Sequence, residues 1–388
     1  MYIWLVVIIL ICYTVPAMQL VYKNQEILLE TGNNDLCYYN YLCAIPSTKS
    51  LAFNNIFSNL GYAIFGIAFM IITKIKDQIY HKNTYKDNLK KHNEERKGLP
   101  QYFGIYHALG LSLLAEAFLS GCYHVCPTTE NFQFDTTFMY VISALMIIKI
   151  YQFRHSDVSA SAYKVFCVIC VVVLFRVLGI YKNVINEDLL WGLLVIMYLF
   201  VMMKLSCVLY TSGKWRKPWQ DWKNLWNFFT NLRKESRCDW QLPKDKTYLI
   251  FVVLFDIVNI GMLGFGYLKR PADFFLMVFM GNLFLYFWYY FVMKKIHKEP
   301  VTWEAYIYLS LVVLCGMPAA YLFTNKAKTT RKSPAESRDM NQDCLMGMYE
   351  GHDIWHFLSA FAIFSFYMLL IVIDDGIDDK ARNEIRIF

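Results

Sequence analysis

The chain has 388 residues, of which 57% are apolar, 18% aromatic and 18% charged, with a formal charge of +7. A soluble domain carries about 25% charged residues, and several apolar stretches here reach or approach ~20 residues, the length that crosses a bilayer. These numbers exclude a soluble globular enzyme and predict an all-α polytopic membrane protein with about ten transmembrane helices.

Span 1 is expected at about 2–20. A signal peptide is the rival reading, but the stretch lacks a basic leading region and a clear small-residue cleavage site. A polar loop over 21–52 holds Cys37 and Cys43. Span 2 is expected at 53–73, followed by a charged loop over 74–101. Spans 3 and 4, at 102–123 and 134–152, are joined by the short turn CPTTENFQ. Spans 5 and 6 follow at 163–180 and 189–211. A basic, Trp-rich segment fills 212–246, then spans 7, 8 and 9 at 247–268, 274–293 and 304–324. A polar loop over 325–351 leads to span 10 at 352–373. The whole of 1–388 reads as one transmembrane domain.

Ten spans put both termini on one side. Lys and Arg number 26 in the loops on the N-terminal side and 10 in the opposite loops. The positive-inside bias therefore predicts cytosolic termini. That orientation sends His124, Asp135, His352 and His356 to the outer leaflet.

These four residues carry the chemistry. Glu116, Ser120 and His124 follow one another at i, i+4 and share one helix face. Asp135 lies 11 residues beyond His124, and HDIWH sets His352 and His356 one helical turn apart. Of the eight histidines, only these three fall at one predicted depth. A catalytic zinc site takes three protein ligands and leaves a position open, so Zn2+ on His124, His352 and His356 is the expected arrangement. Asp135 could then take a proton from water or orient an imidazole. Ser120 could donate to a developing oxyanion, with Glu116 deeper, anchoring the polar column. The plainer reading is that each group is an interfacial or core polar residue; ionisable groups inside a membrane favour function.

Cys37, Cys43, Cys126 and Cys344 all fall on the predicted outer side, where disulfides persist. Bridges from the 21–52 loop to Cys126 and to Cys344 would tie down the site, with connectivity open. Cys122 reads as a packing residue, as do Cys167, Cys170 and Cys207 inside the spans. In 212–246, Trp219, Trp222, Trp226 and Phe229 recur at helical spacing, as in a cytosolic amphipathic helix lying on the membrane. Arg176 and Asp256 are isolated charges within spans and could pair. Val195, Tyr198 and Lys204 fit a weak cholesterol-contact pattern. No RNA-binding module motif is present.

FNNIFSNLGY, SGCYHVCPTTENFQFDTTFMY, KSPAESRDMNQDC and GHDIWHFLSAF resemble the transmembrane region of the SID family of systemic RNA-interference proteins. The resemblance extends over nearly the whole chain. It implies a role in double-stranded RNA uptake or cholesterol uptake. It also implies kinship with the CREST superfamily of membrane hydrolases, which includes alkaline ceramidases and adiponectin-receptor-like proteins. Their pattern, Ser-x3-His, an Asp 11 residues on and a later His-x3-His, is matched by Ser120, His124, Asp135, His352 and His356. It implies zinc on the three histidines, with Asp135 and Ser120 at the reacting water, and cleavage of an amide or ester in a ceramide or phospholipid. The alternative implied is a transporter or receptor in which the zinc cluster is structural.

Family members usually carry a large β-rich outer domain, a further span and a cytosolic loop ahead of this region. This chain starts at Met1 directly with a span, so a short member or a truncated product is expected. The partners expected are membrane lipids, with cholesterol or ceramide foremost. Double-stranded RNA is weaker without the outer domain, and a second copy of the chain would form a homodimer. The expected location is the plasma membrane or an endolysosomal membrane, with the zinc site on the extracellular or lumenal side.

Overall fold

The computed structural model describes residues 2–33, 36–38, 43, 52–90, 97–128, 131–155, 162–180, 186–210, 246–269, 274–326, 344–345 and 347–388. Among the described residues there is no strand; Lys97 with Ala381 and Leu345 with Tyr349 form isolated bridges. An unpaired backbone group in lipid costs several kcal/mol, so so apolar a chain closes its hydrogen bonds within helices.

The helices are α1 (Tyr2–Thr31), α2 (Phe53–Phe57), α3 (Leu60–Lys90), α4 (Phe103–Val125), α5 (Thr137–Arg154), α6 (Ala162–Ile180), α7 (Glu187–Tyr210), α8 (Lys246–Lys269), α9 (Phe274–Ile296), α10 (Trp303–Lys326) and α11 (Gly351–Val372). Nine stretches among the described residues are long and apolar enough to cross a membrane, and α6 contributes a shorter apolar segment, Phe166–Phe175. The chain is an all-α polytopic membrane protein. The Trp-rich segment 212–245 and most of the 325–351 loop lie outside the described residues.

Two helices depart from simple apolar rods. α1 continues to Thr31, past the apolar stretch, because its last turns gain partners. Gln25 Nε2 donates to the Val125 carbonyl at 3.2 Å, and Leu28 packs with Cys37, Ala52 and Cys126. The stretch expected as one span from 53 is broken at Ser58–Asn59. Ser58 Oγ and Asn59 Nδ2 both donate to the Asn55 carbonyl, at 2.7 and 3.2 Å. Side chains thus take the acceptor that the next helical N–H would use, and α3 starts afresh at Leu60.

α4 lies at the centre, packed against α1, α2, α3 and α5, while α11 packs against α10 and α3. The α3–α4 contact is close at Gly66 and Gly110. A Cβ on Gly66 would stand 3.1 Å from the Gly110 carbonyl oxygen, and one on Gly110 only 2.5 Å from Met70. Small residues at a helix crossing let backbones approach, which is how helices gain packing energy in lipid. α4 and α11 are bridged by tyrosines. Tyr106 Oη donates to the Leu370 carbonyl at 2.8 Å and Tyr367 Oη to the Leu109 carbonyl at 3.3 Å.

α7, α8 and α9 pack as a flank, held by a polar layer. Tyr198 Oη donates to Asn259 Oδ1 at 2.6 Å, and the amides of Asn259 and Asn282 exchange bonds at 3.0 and 2.9 Å. Asp256 accepts a hydrogen bond from Ser206 Oγ; the Arg176 side chain, its expected partner, lies outside what is described. Cys167 and Cys170, spaced C-x-x-C on α6, are both exposed and unbonded.

The bundle end opposite the histidines contains a buried ionic cluster. Arg154 grips Glu299 through two bonds, at 3.1 and 2.6 Å, and reaches Asp374 at 3.1 Å. Lys294 bonds Asp374 at 2.6 Å and Glu299 at 3.2 Å, and Tyr290 Oη donates to Asp374 at 2.5 Å. The Arg154 guanidinium also lies over the ring of Phe388. Lys149, buried nearby, sits over the Tyr106 ring. These three cations count as loop charges by sequence alone. The structure buries them, because carboxylates and aromatic rings from neighbouring segments replace their water.

Candidate metal centre

The site is built at the other end of the same central helices. α4 carries Ser120 and His124 on one face, both buried. It ends at Cys126, and the turn that follows is organised by its polar residues. Asn131 Nδ2 donates to the Cys126 carbonyl at 3.1 Å, and the Asn131 N–H donates to Thr128 Oγ1 at 3.2 Å. A 3-10 turn over Asn131–Asp135 then leads into α5. Its Phe132 and Phe134 are buried against Tyr123 and Tyr13, which aims Asp135 back at α4. There Ser120 Oγ donates a short hydrogen bond to Asp135 Oδ1.

α11 supplies the facing histidines. His352 is in its first turn and His356 one turn deeper. The Nε2 atoms of His124 and His356 are 2.9 Å apart. Asp135 Oδ1 lies 3.9 Å from His124 Nε2 and 4.0 Å from His356 Nε2, and Asp135 Oδ2 lies 3.5 Å from His352 Nε2. One ligand atom from each of the four residues falls within 4.8 Å of all the others. Three of the four are buried, and the His352 side chain is 19% exposed, so access is from the His352 side.

This donor set fits a metal ion. Asp135 Oδ2 and His352 Nε2, both shielded from solvent, have no hydrogen-bond partner in good geometry. Leaving such atoms unpaired costs about 1–3 kcal/mol each. Two imidazole nitrogens in contact must either share one proton or turn both lone pairs toward a cation. Tetrahedral ligands at zinc–nitrogen distances stand about 3.3 Å apart, close to the separation of His124 and His356.

Ser120, His124, Asp135, His352 and His356 are brought together here, and Glu116 lies deeper on α4. Its two carboxyl oxygens are buried without a well-formed hydrogen bond. Ser120 Oγ is bonded to Asp135 Oδ1. Cys37, Cys43, Cys126 and Cys344 form two bridges, Cys37–Cys126 and Cys43–Cys344. The first ties the end of α4 to the segment after α1, and the second ties that segment to the lead-in of α11.

Sequence spacing missed the groups behind the histidines. Tyr62 sets its ring edge against His356 and its hydroxyl 2.5 Å from Ser359 Oγ. Asn54 Nδ2 donates to the Met348 carbonyl at 2.5 Å, and Asn55 Nδ2 to Glu350 Oε1 at 3.3 Å. The signal available was the Asn-rich break FNNIFSN, whose amides have no place on a lipid-facing surface.

A family model described as the dsRNA-gated channel SID-1 matches residues 1–388. SID1 transmembrane family member 1 of Homo sapiens is 36% identical over 392 residues, covering 100% of this chain and 46% of the human protein. The Rattus norvegicus protein of that name is 35% identical over 397 residues, covering 100% of this chain and 47% of its own length. Cholesterol uptake protein 1 of Caenorhabditis elegans is 34% identical over 386 residues, covering 98% of this chain and 50% of that protein. The chain thus spans about half the length of the curated relatives it matches. With the family match running from the first residue to the last, the chain belongs to the SID-1 family of RNA channel proteins.

Proposed function

We propose that this chain is the membrane domain of a SID-type uptake protein and carries an outward-facing zinc site of lipid-hydrolase type. The observation that carries this reading is the convergence of His124, Asp135, His352 and His356 within 4.8 Å. The three histidines would hold the ion. Zinc, when bound, supplies an electrophilic centre and activates water at neutral pH.

The chain's own residues do the rest. Asp135 accepts the proton released by the attacking water and returns it to the leaving group. Ser120 holds Asp135 in place by donating to Oδ1, leaving Oδ2, beside His352, as the atom that takes the proton. Burial of His124 and His356 keeps bulk water out and makes each charge interaction stronger than in solvent. The substrate class is a lipid amide or ester, such as a ceramide or phospholipid. In this reading both termini are cytosolic, and the site faces the outside of the cell or an endolysosomal lumen. Burying Lys149, Arg154 and Lys294 leaves the Lys/Arg bias toward the inner loops intact.

The second reading is uptake of double-stranded RNA or cholesterol with a purely structural metal. The names of the relatives favour it, as does a site largely closed to solvent. Turnover of defined ceramides and phospholipids by purified protein, compared with His352→Ala, separates the two. Hydrolysis predicts zinc-dependent product that His352→Ala reduces. Absence of metal-dependent product, with uptake of labelled RNA or sterol by cells expressing the chain, leaves the structural role.

A further inference from the structure

We infer that Asn54 and Asn55, on the short helix α2, are positioning residues that hold His352 at the metal centre through the lead-in of α11. The inference rests on the reading of the centre as a zinc site and adds residues outside it.

His352 is the second residue of α11. A first helical turn has N–H groups without intrahelical partners and frays unless capped. Here the cap is Glu350: its side chain accepts from the Asp353 N–H, and Asp353 Oδ2 accepts from the Glu350 N–H at 3.0 Å. Such a reciprocal capping box satisfies two orphan donors, but only while the Glu350 carboxylate keeps its rotamer. The Asn55 amide, bonded to Glu350 Oε1, fixes that rotamer from a different part of the chain. Asn54 fixes the approach: its Nδ2 reaches both the Met348 carbonyl and the Cys43 carbonyl, the latter at 3.3 Å. Cys43 is itself bonded to Cys344, so α2, the loop after α1 and the lead-in of α11 form one closed frame.

The two histidines of α11 depend on this frame unequally. His356 lies a turn deeper and has its own supports in the Tyr62 ring and in Ser359, which bonds Tyr62. His352 lies within the capped first turn itself; its Nε2 has Asp135 Oδ2 3.5 Å away without a well-formed hydrogen bond, and its ring lies beside Trp355 of the same helix. Loosening α2 therefore displaces His352 first. That selectivity separates positioning from general stabilisation.

The test is zinc affinity of the full chain in detergent, measured by competition with a fluorescent chelator, with thermal unfolding of the metal-free protein alongside. Groups that orient metal ligands are worth 10–100-fold in affinity when removed. Asn54→Ala and Asn55→Ala are each expected to weaken zinc binding about 10-fold. The same substitutions in a His352→Ala background should cost no further affinity, because the residue they position is gone. Asn55→Asp places a carboxylate against Glu350 and should weaken binding at least as much. Asn55→Asp with Glu350→Gln, in which donor and acceptor change places, should recover it, and this pair decides the matter if the alanine variants fail to fold. Unchanged affinity in the single variants, an equal loss in the His352→Ala background, or no recovery in the exchanged pair overturns the inference. A wild-type chain that binds no zinc overturns the zinc reading as well.

Discussion

In the proposed hydrolysis, Asp135 is the residue on which the chemistry turns. It touches four other side chains, yet only Ser120 satisfies one of its oxygens. The other oxygen faces His352 at 3.5 Å. Asp135→Asn keeps the shape and removes the charge. It is expected to lower lipid turnover by about 10²–10⁴-fold, the usual worth of a positioned general base. Zinc content should change little, and metal analysis beside the rate measurement checks both halves. A variant that loses metal in proportion to activity would make Asp135 a ligand instead of a base. The residue types and spacing here were legible in the sequence, because Ser120 and His124 share a helix face and His352 and His356 another. The hydrogen bond from Ser120 to Asp135 was not, since it depends on a 3-10 turn set by Asn131, Phe132 and Phe134.

α4, α5 and α11 each reach from one end of the bundle to the other. Ser120, His124, Asp135, His352 and His356 cluster at one end, and Tyr106, Lys149, Arg154 and Asp374 at the other. The ionic end locks the spacing of the helices, or the segments following them, whose far ends carry the candidate metal ligands. Asp374 accepts from Arg154, Lys294 and Tyr290 together. Asp374→Ala leaves two buried cations sharing Glu299 alone. Breaking a buried pair from one side costs about 3–5 kcal/mol, so the unfolding temperature in detergent should fall sharply. A fall no larger than that of an exposed pair such as Lys23 with Glu26 would show the cluster to be solvated. This element-level feature was hidden in the sequence. Lys149, Arg154 and Lys294 stand at helix ends beside basic loops, and no local pattern separates a headgroup-facing lysine from one that turns inward. The break between α2 and α3 was hidden for a related reason: hydropathy reads FNNIFSN as part of a span, while its amides bond other segments.

At the scale of the whole molecule, composition sufficed for the class. A chain 57% apolar with stretches of bilayer length has helices as its outlet, and the packing of α4 among α1, α2, α3 and α5 sets where buried polar groups can gather. Most of the buried charged groups gather at the two ends, and tyrosine–carbonyl bridges join α4 to α11 toward the ionic one. Two disulfides close the histidine end across 89 and 301 residues of sequence, which confines the loops around it without using any of its donors. The chain belongs to the SID-1 family, and uptake across membranes is the setting proposed for this arrangement. In the proposed reading, the histidine end adds a zinc chemistry that uptake alone does not require. The most direct test of that chemistry is the metal content of the purified chain, with zinc-edge X-ray absorption to report its donors. About one zinc per chain bound by nitrogen donors, lost in both His124→Ala and His356→Ala, is the predicted result; a folded wild-type chain that holds no zinc when zinc is supplied, or variants that hold it as well as wild type, would contradict it.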